Sequence, residues 1–169
     1  MQFEEFSREQ LPGLVRFAAV LTGDRELAQD VVQDALVRAH QGWRRVAAAD
    51  RPDLYLRKMV VNGYVGWRRR WYQRSVHATA DVSRFHQPTA PDPAGRIADA
   101  DQLTGLLAQL SRAQKASIVL RFYEDRDDDE IAEVLGCAPG TVRSHISRGL
   151  GLLRVQLHES RLDEGKESV

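Results

Sequence analysis

"DDDEIAEVLGCAPGTVRSHISRGLGLLR", residues 127–154, is the stretch that decides the fold. Its first part reads as a short helix. Ile131, Ala132 and Leu135 make an apolar stripe, and Asp127, Asp128 and Asp129 bring cap oxygens and negative charge to a helix start. Gly136 is a natural C-terminal stop. A second helix follows after a tight turn. Pro139 suits its first position, where a missing N–H costs little, and Thr141 is expected to help close that end. At about 100° per residue, Val142, Ile146, Leu150, Leu153 and Leu157 fall within one narrow arc. Arg143, Ser144, Ser147, Arg148 and Gly151 fall across the opposite side. A short helix, a turn with glycine and a longer helix with a polar outer face make a helix-turn-helix, whose second helix enters the major groove of a duplex.

The outer face of that second helix carries no acid. Residues 140–154 hold three arginines, two serines and a histidine, in a chain of 24 basic and 24 acidic residues with zero formal net charge. A merely solvated face mixes both signs. Serine and arginine reach phosphates and guanine edges without blocking approach. Gly149 and Gly151 each cost about 1 kcal/mol of helix stability relative to Ala. Gly149 lies near the packed face and fits a close helix contact, whereas Gly151 has no evident reason.

Zero net charge hides segregation. From Leu54 to Ala80 there are six basic residues and no acid, and from Glu124 to Glu133 seven acids and one arginine. Asp24–Asp34 holds four acids and one arginine. Charge in blocks predicts several different partner surfaces. Across Tyr64–Arg74, "YVGWRRRWYQR", four aromatics interleave with four arginines. Arginines neutralise phosphates, and aromatic faces stack exposed bases. One half is thus suited to duplex DNA and the other to backbone and unstacked bases.

The 169 residues, 43% hydrophobic, suffice for one or two small cores. No apolar run approaches a membrane span, and the acidic N-terminus lacks a signal-peptide pattern, so no membrane role and a cytoplasmic location are expected. The single cysteine, Cys137, excludes an internal disulfide and is expected to pack in the turn. Asp125, Asp127 and Asp129 mimic the start of a calcium loop, but Glu130 and Gly136 stand where glycine and glutamate are required. The five histidines have no ligand spacing. Nothing resembles a nucleophile–base pair or a phosphate loop. The expectation is no metal, no cofactor, no small-molecule substrate and no catalytic residue.

The fold class predicted is all-α, two small helical domains joined by a flexible linker. Residues 1–74 form the first domain. In it, "FEEFSREQLPGLVRFAAVLTG" is a helix that Pro12 interrupts or restarts. "DRELAQDVVQDALVRAHQGW" is the clearest helix, "RRVAAADRP" a loop, and "DLYLRKMVVNGYVGWRRRWYQR" a helix after Pro52. Residues 75–100, with Pro88, Pro91 and Pro93, are the linker. Residues 101–158 are the helix-turn-helix domain, and 159–169 a polar tail.

With those residues in view, the chain resembles the extracytoplasmic-function group of bacterial RNA polymerase sigma factors, over nearly all of residues 3–158. "DVVQDALVRA" is similar to that family's core-polymerase-binding helix. "LYLRKMVVNGYVGWRRR" is similar to the segment that recognises and opens the −10 element, and the stretch from Leu110 to Arg154 to the −35-binding domain. The resemblance implies that Asp30, Gln33, Asp34 and Arg38 face core polymerase. It implies that Asn62 lies near a flipped −10 base, that Trp67, Arg68, Arg69 and Arg70 form the basic DNA-facing end, and that Arg143, Ser144, His145, Ser147 and Arg148 read the −35 element. Its partners would be core RNA polymerase and promoter DNA, duplex at −35 and melted at −10; whether an anti-sigma protein binds stays open. "EDRDDDE" departs from the Leu-Ser pair common before the first helix of the motif, and His145 from a common arginine. A stand-alone helix-turn-helix regulator explains residues 101–158 but leaves the basic–aromatic helix idle. A helical interaction module leaves the arginine–serine face unexplained.

Overall fold

The computed structural model describes the backbone of residues 1–77 and 96–164 and the side chains of residues 1–67, 69 and 101–159. Every regular element among the described residues is a helix, with no strand. Helix α1, Phe3–Thr22, buries Phe6, Leu14, Phe17, Ala18 and Leu21. It runs unbroken through Pro12, which sits on the exposed side. Gly23 ends it with φ +70°, a left-handed conformation natural to glycine, and donates its N–H to Ala19. Helix α2, Arg25–Gln41, starts where the Asp24 carboxylate accepts the Leu27 N–H at 3.0 Å. It buries Leu27, Ala28, Val31, Val32, Ala35 and Ala39.

The expected loop after Gly42 is partly helical. Trp43–Ala47 forms α3, which anchors Val46 in the core. Trp43 also meets Phe3 and Phe6 at ring-centroid distances of 5.4 and 5.3 Å, so aromatic packing holds this turn where propensity alone gives no helix signal. Helix α4, Pro52–His77, extends three residues into the stretch read as linker, and α5, Arg96–Ala108, begins inside it. The remainder of that stretch, residues 78–95, lies outside the described residues, as do residues 165–169 of the tail.

Helix α6, Arg112–Ile118, opens with a reciprocal cap between Ser111 and Gln114. It passes directly into a π-helical turn, Val119–Tyr123. Helix α7, Asp128–Leu135, is capped in the same reciprocal way by Asp127 and Glu130 and stopped by Gly136 at φ +67°. Helix α8, Pro139–Glu164, begins at Pro139 as expected. Thr141 does not cap it; the Ala138 carbonyl accepts the first N–H groups, from Thr141 and Val142. Gly149 is where α6 and α8 touch, since a Cβ there would stand 2.6 Å from Ile118 Cδ1. Nothing lies within 4 Å of a Cβ at Gly151.

The two halves pack on each other. The core of α1, α2 and α4 continues through Ala116, Val119 and Leu120 to Ile131, Val134 and Val142. Cys137 is half-buried against it. A polar seam closes the edge. Arg57 of α4 pairs with Glu124, with side chains only 7% and 8% exposed. Arg126 reaches Asp53 at 3.2 Å and Glu130 at 3.1 Å, and Arg51 reaches Glu130 at 2.7 Å. Of the acidic block, Glu124 and Glu130 are thus taken up by Arg57 and Arg51 of the first half, whereas Asp125, Asp127, Asp129 and Glu133 stay exposed.

Candidate nucleic-acid interface

Helices α7 and α8 form the helix-turn-helix. Val142 is fully buried and Ile146, Leu150 and Leu153 are half-buried, which orients α8. The apolar stripe then leaves the core, and Leu157 is exposed. Turned away from the core, Arg143, Ser144, Ser147 and Arg148 are exposed, while His145 is half-buried at the flank of that face. Arg143 is tied by its Nη1 to Asp128 at 3.1 Å, and Arg121 pairs with the same carboxylate. These two arginines draw the Asp128 carboxyl below its ordinary range, Arg143 contributing most. A groove of about 430 Å³ runs beside them, lined by Phe122, Ile146, Leu150 and Arg154 as well.

On α4, Asn62 and Arg69 are both exposed. Seven residues apart, they lie on one helix face two turns from each other. Trp67 is 37% exposed but stands roughly 140° round the helix from Asn62. The side chains of Arg68 and Arg70 lie outside the described residues. Two residues of the acid-free stretch Leu54–Ala80 are not available to DNA in this arrangement. Tyr64 is buried, with the Lys115 ammonium 5.7 Å from its ring, and Arg57 is spent on Glu124. Arg112 also reaches the Val65 carbonyl at 3.4 Å.

On α2, Asp30, Gln33, Asp34 and Arg38 are all exposed and share one stripe. Arg38 meets Asp34 at 2.8 Å, one turn apart. Beside the stripe is an apolar groove of about 620 Å³ between α1 and α2, lined by Leu11, Val15, Leu36, Val37 and Gln33 among others. Leu11 and Val37 are 41% and 50% exposed. Sequence reasoning missed this groove; the signal was there, since Val37 falls outside the buried periodicity of α2. It also missed the Asp128 bridge and the buried Arg57–Glu124 pair, which join residues too far apart in sequence for any spacing rule.

The chain matches Sigma-70 region 2 over residues 7–74 and Sigma-70 region 4 over residues 100–153. It is 33% identical over 165 residues to the RNA polymerase sigma-E factor of Streptomyces coelicolor, covering 96% of this chain and 90% of that one. It is 34% identical over 147 residues to the ECF, or extracytoplasmic-function, RNA polymerase sigma factor SigL of Mycobacterium tuberculosis, covering 86% of this chain and 83% of that one. The chain belongs to the extracytoplasmic-function RNA polymerase sigma factors. Among solved structures, the fold is similar to the sigma factor RpoE of Bartonella quintana, solved with the anti-sigma factor NepR. The TM-score is 0.71 at 24% identity, over 92% of this chain and 96% of that one. It is similar too to CnrH, solved with the cytosolic domain of CnrY: TM-score 0.63, 21% identity, 93% and 88% covered. A stand-alone regulator reading is not favoured, because both sigma regions are matched in order. As a sigma factor, the protein acts with core RNA polymerase on promoter DNA. No described helix is long and apolar enough to cross a membrane.

Proposed function

We propose that this sigma factor divides its work among three faces. The α2 stripe of Asp30, Gln33, Asp34 and Arg38, with the neighbouring apolar groove, docks core polymerase. An apolar centre with a polar rim is the ordinary anatomy of such an interface. Asn62 and the Trp67–Arg70 end of α4 hold the −10 element, with Asn62 beside an extruded base. Asn offers both a donor and an acceptor, so it can read an edge that only an unpaired base presents. Arg143, Ser144, His145, Ser147 and Arg148 read the −35 duplex. The division proposed is residues 1–74 for the first domain, 75–100 for the linker and 101–158 for the second, with residues 159–169 a tail. The protein works in the cytoplasm and performs no covalent chemistry itself. An anti-sigma protein is a further partner, by analogy with the complex of RpoE with the anti-sigma factor NepR.

The observation that carries this reading is the exposed, acid-free face of α8 on the second helix of a helix-turn-helix. The packing of the halves adds a condition. A compact chain of this length has a radius of gyration of about 15 Å. Promoter elements roughly 25 base pairs apart are separated by about 85 Å of duplex. Both elements are therefore engaged only once the halves have parted.

Run-off transcription with core polymerase, with and without the chain, tests the function. Promoter-specific transcripts are expected only with it. Asn62→Ala is expected to lower permanganate reactivity of thymines around −10 more than it lowers initial promoter binding. Normal thymine reactivity in that variant would return Asn62 to an ordinary surface position.

A further inference from the structure

The Arg143 guanidinium does not project freely from the recognition helix. Its Nη1 donates to Asp128 Oδ2 at 3.1 Å, and the other carboxylate oxygen, Oδ1, accepts from Arg121 Nη2. Three elements meet at one carboxylate: the π-helical turn, the first residue of α7, and the start of α8. The guanidinium is laid back over the first turn of α8, its Nη2 3.6 Å from where a Cβ of Gly140 would stand. The Arg143 side chain is nevertheless 65% exposed, and that of Asp128 26%. One donor is anchored, and the head remains open to solvent.

A carboxylate is a poor residue to leave bare here. The first helix of a helix-turn-helix crosses the DNA backbone, so an acid at its N-terminus faces phosphates. Asp128 is not bare, because two guanidiniums share its charge. The consequences for Arg143 are separable. An anchored arginine has less orientational freedom to lose when it pairs with a base edge. A guanidinium already paired with a carboxylate also brings less net charge to phosphate, so it contributes less to sequence-independent binding.

We propose that Asp128 is a positioning residue for the −35 reader: by holding Arg143 through Nη1 and offsetting its charge, it sets discrimination at the −35 element rather than affinity for DNA. This rests on the reading of α8 as the −35 helix.

The test uses holoenzyme reconstituted from core polymerase and the full chain. The probes are a duplex bearing a promoter mapped from transcripts that overexpression induces, and the same duplex with its −35 element scrambled. Asn is isosteric with Asp, so Asp128→Asn removes the charge and keeps the shape. The preference for the intact element is expected to fall about threefold to tenfold. The logarithmic salt slope on the scrambled duplex is expected to steepen by about one released counterion. The loss of preference is expected to vanish in an Arg143→Ala background, where the Arg121 guanidinium that Asp128 also holds is left to act on the salt slope. Either change missing from Asp128→Asn, or a loss of preference surviving without Arg143, overturns the proposal. If Arg143→Ala alone leaves the −35 preference intact, the α8 reading itself fails, and the role given to Asp128 fails with it.

Discussion

Asp30 and Asp34 of α2 look like Glu124, Asp128 and Glu130 in sequence, and the two sets have opposite fates in the fold. Asp30 and Asp34 stand on a helix whose apolar stripe is already committed to the core, so they face outward. Among the described residues the ion pair formed by Asp34 is the local one with Arg38. Glu124, Asp128 and Glu130 instead meet arginines from elsewhere: Arg57 and Arg51 on or beside α4, and Arg121 and Arg143 in the second half. The difference is one of neighbours. An acid beside a self-sufficient apolar stripe stays available to a partner protein. An acid at the seam between two helical layers is enlisted by the layer opposite. Block charge marks where charge is dense and leaves open whether it is already used.

The sharpest way to break this comparison is at Arg57. Its pair with Glu124 is nearly buried at both ends. Arg57→Ala leaves a buried carboxylate with Arg126 3.9 Å away as its remaining cation. Removing one partner of such a pair costs about 3–5 kcal/mol. The expected result is a large fall in the urea midpoint. Replacing both, Arg57→Met with Glu124→Leu, is expected to recover most of the loss, because the desolvation of two charges disappears with their attraction. An unchanged midpoint in Arg57→Ala would mean that this pair contributes little to holding the halves together.

A smaller effect is expected at the cap of α7. Asp127 accepts the Glu130 N–H at 2.8 Å, and Glu130 returns the bond to the Asp127 N–H at 3.2 Å. Asp127→Ala is expected to cost about 1 kcal/mol, and Asp127→Asn much less, since Asn caps nearly as well. A cost for Asn equal to that for Ala would mean that charge rather than capping keeps Asp127 in place.

Much of this was legible without coordinates. Caps and stops are local: Asp127, Gly136, Pro139 and Gly149 each announce a helix end or a close approach within a few residues. The exposed faces of α2 and α8 followed from periodicity, which fixes the buried stripe and so its opposite. What stayed hidden required pairs distant in sequence. Arg57 counted as one more cation in a basic helix until Glu124 stood beside it. Tyr64 counted as a stacking platform until Lys115 and the second half covered it. The α3 turn depends on Trp43 meeting Phe3 and Phe6 from α1, which no window of local sequence contains. The candidate site was likewise readable as faces but not as geometry, so Asp128 looked like a helix cap and not a hold on Arg143.

Acid is a graded way to press on the same seam. Burial pushes the Asp53 carboxyl up, but Arg51 and then Arg126 and Arg57 more than reverse this, and its pKa is lowered. Glu130 is lowered too: desolvation acts upward, and the Asp127 N–H, Arg51 and Arg126 outweigh it. A carboxylate with a depressed folded pKa contributes stability that is fully present above its unfolded value. That stability is lost as pH falls through the folded value. The contribution of these groups is therefore expected to be constant from pH 7 down to about pH 5, and to decline below about pH 4. Urea midpoints across that range check it. Asp53→Asn is expected to flatten the decline. A decline of the same size in that variant would assign the acid sensitivity to other carboxylates.

The smallest effect on the fold is expected from the outward-facing acids, and there the comparison is most informative. Asp34 and Arg38 are 47% and 51% exposed and one turn apart. Exposed pairs of this kind contribute about 0.3–0.5 kcal/mol. Asp34→Lys exchanges that for a like-charge pair of similar size, so the urea midpoint is expected to move little. Binding is expected to respond differently. A charge reversal on a surface used by a partner opposes encounter and leaves a mismatched charge at the contact. Pull-down of core polymerase by Asp34→Lys is therefore expected to weaken well beyond what its stability explains, and Gln33→Ala, which also opens the rim of the apolar groove, to weaken it by less. Each variant is measured twice, by unfolding and by capture, because only the pair of readings separates a folded surface from a used one. If both variants capture polymerase as well as the unaltered chain does, the α2 stripe is a solvated helix face, and the contrast between free and enlisted acids would describe folding without describing function.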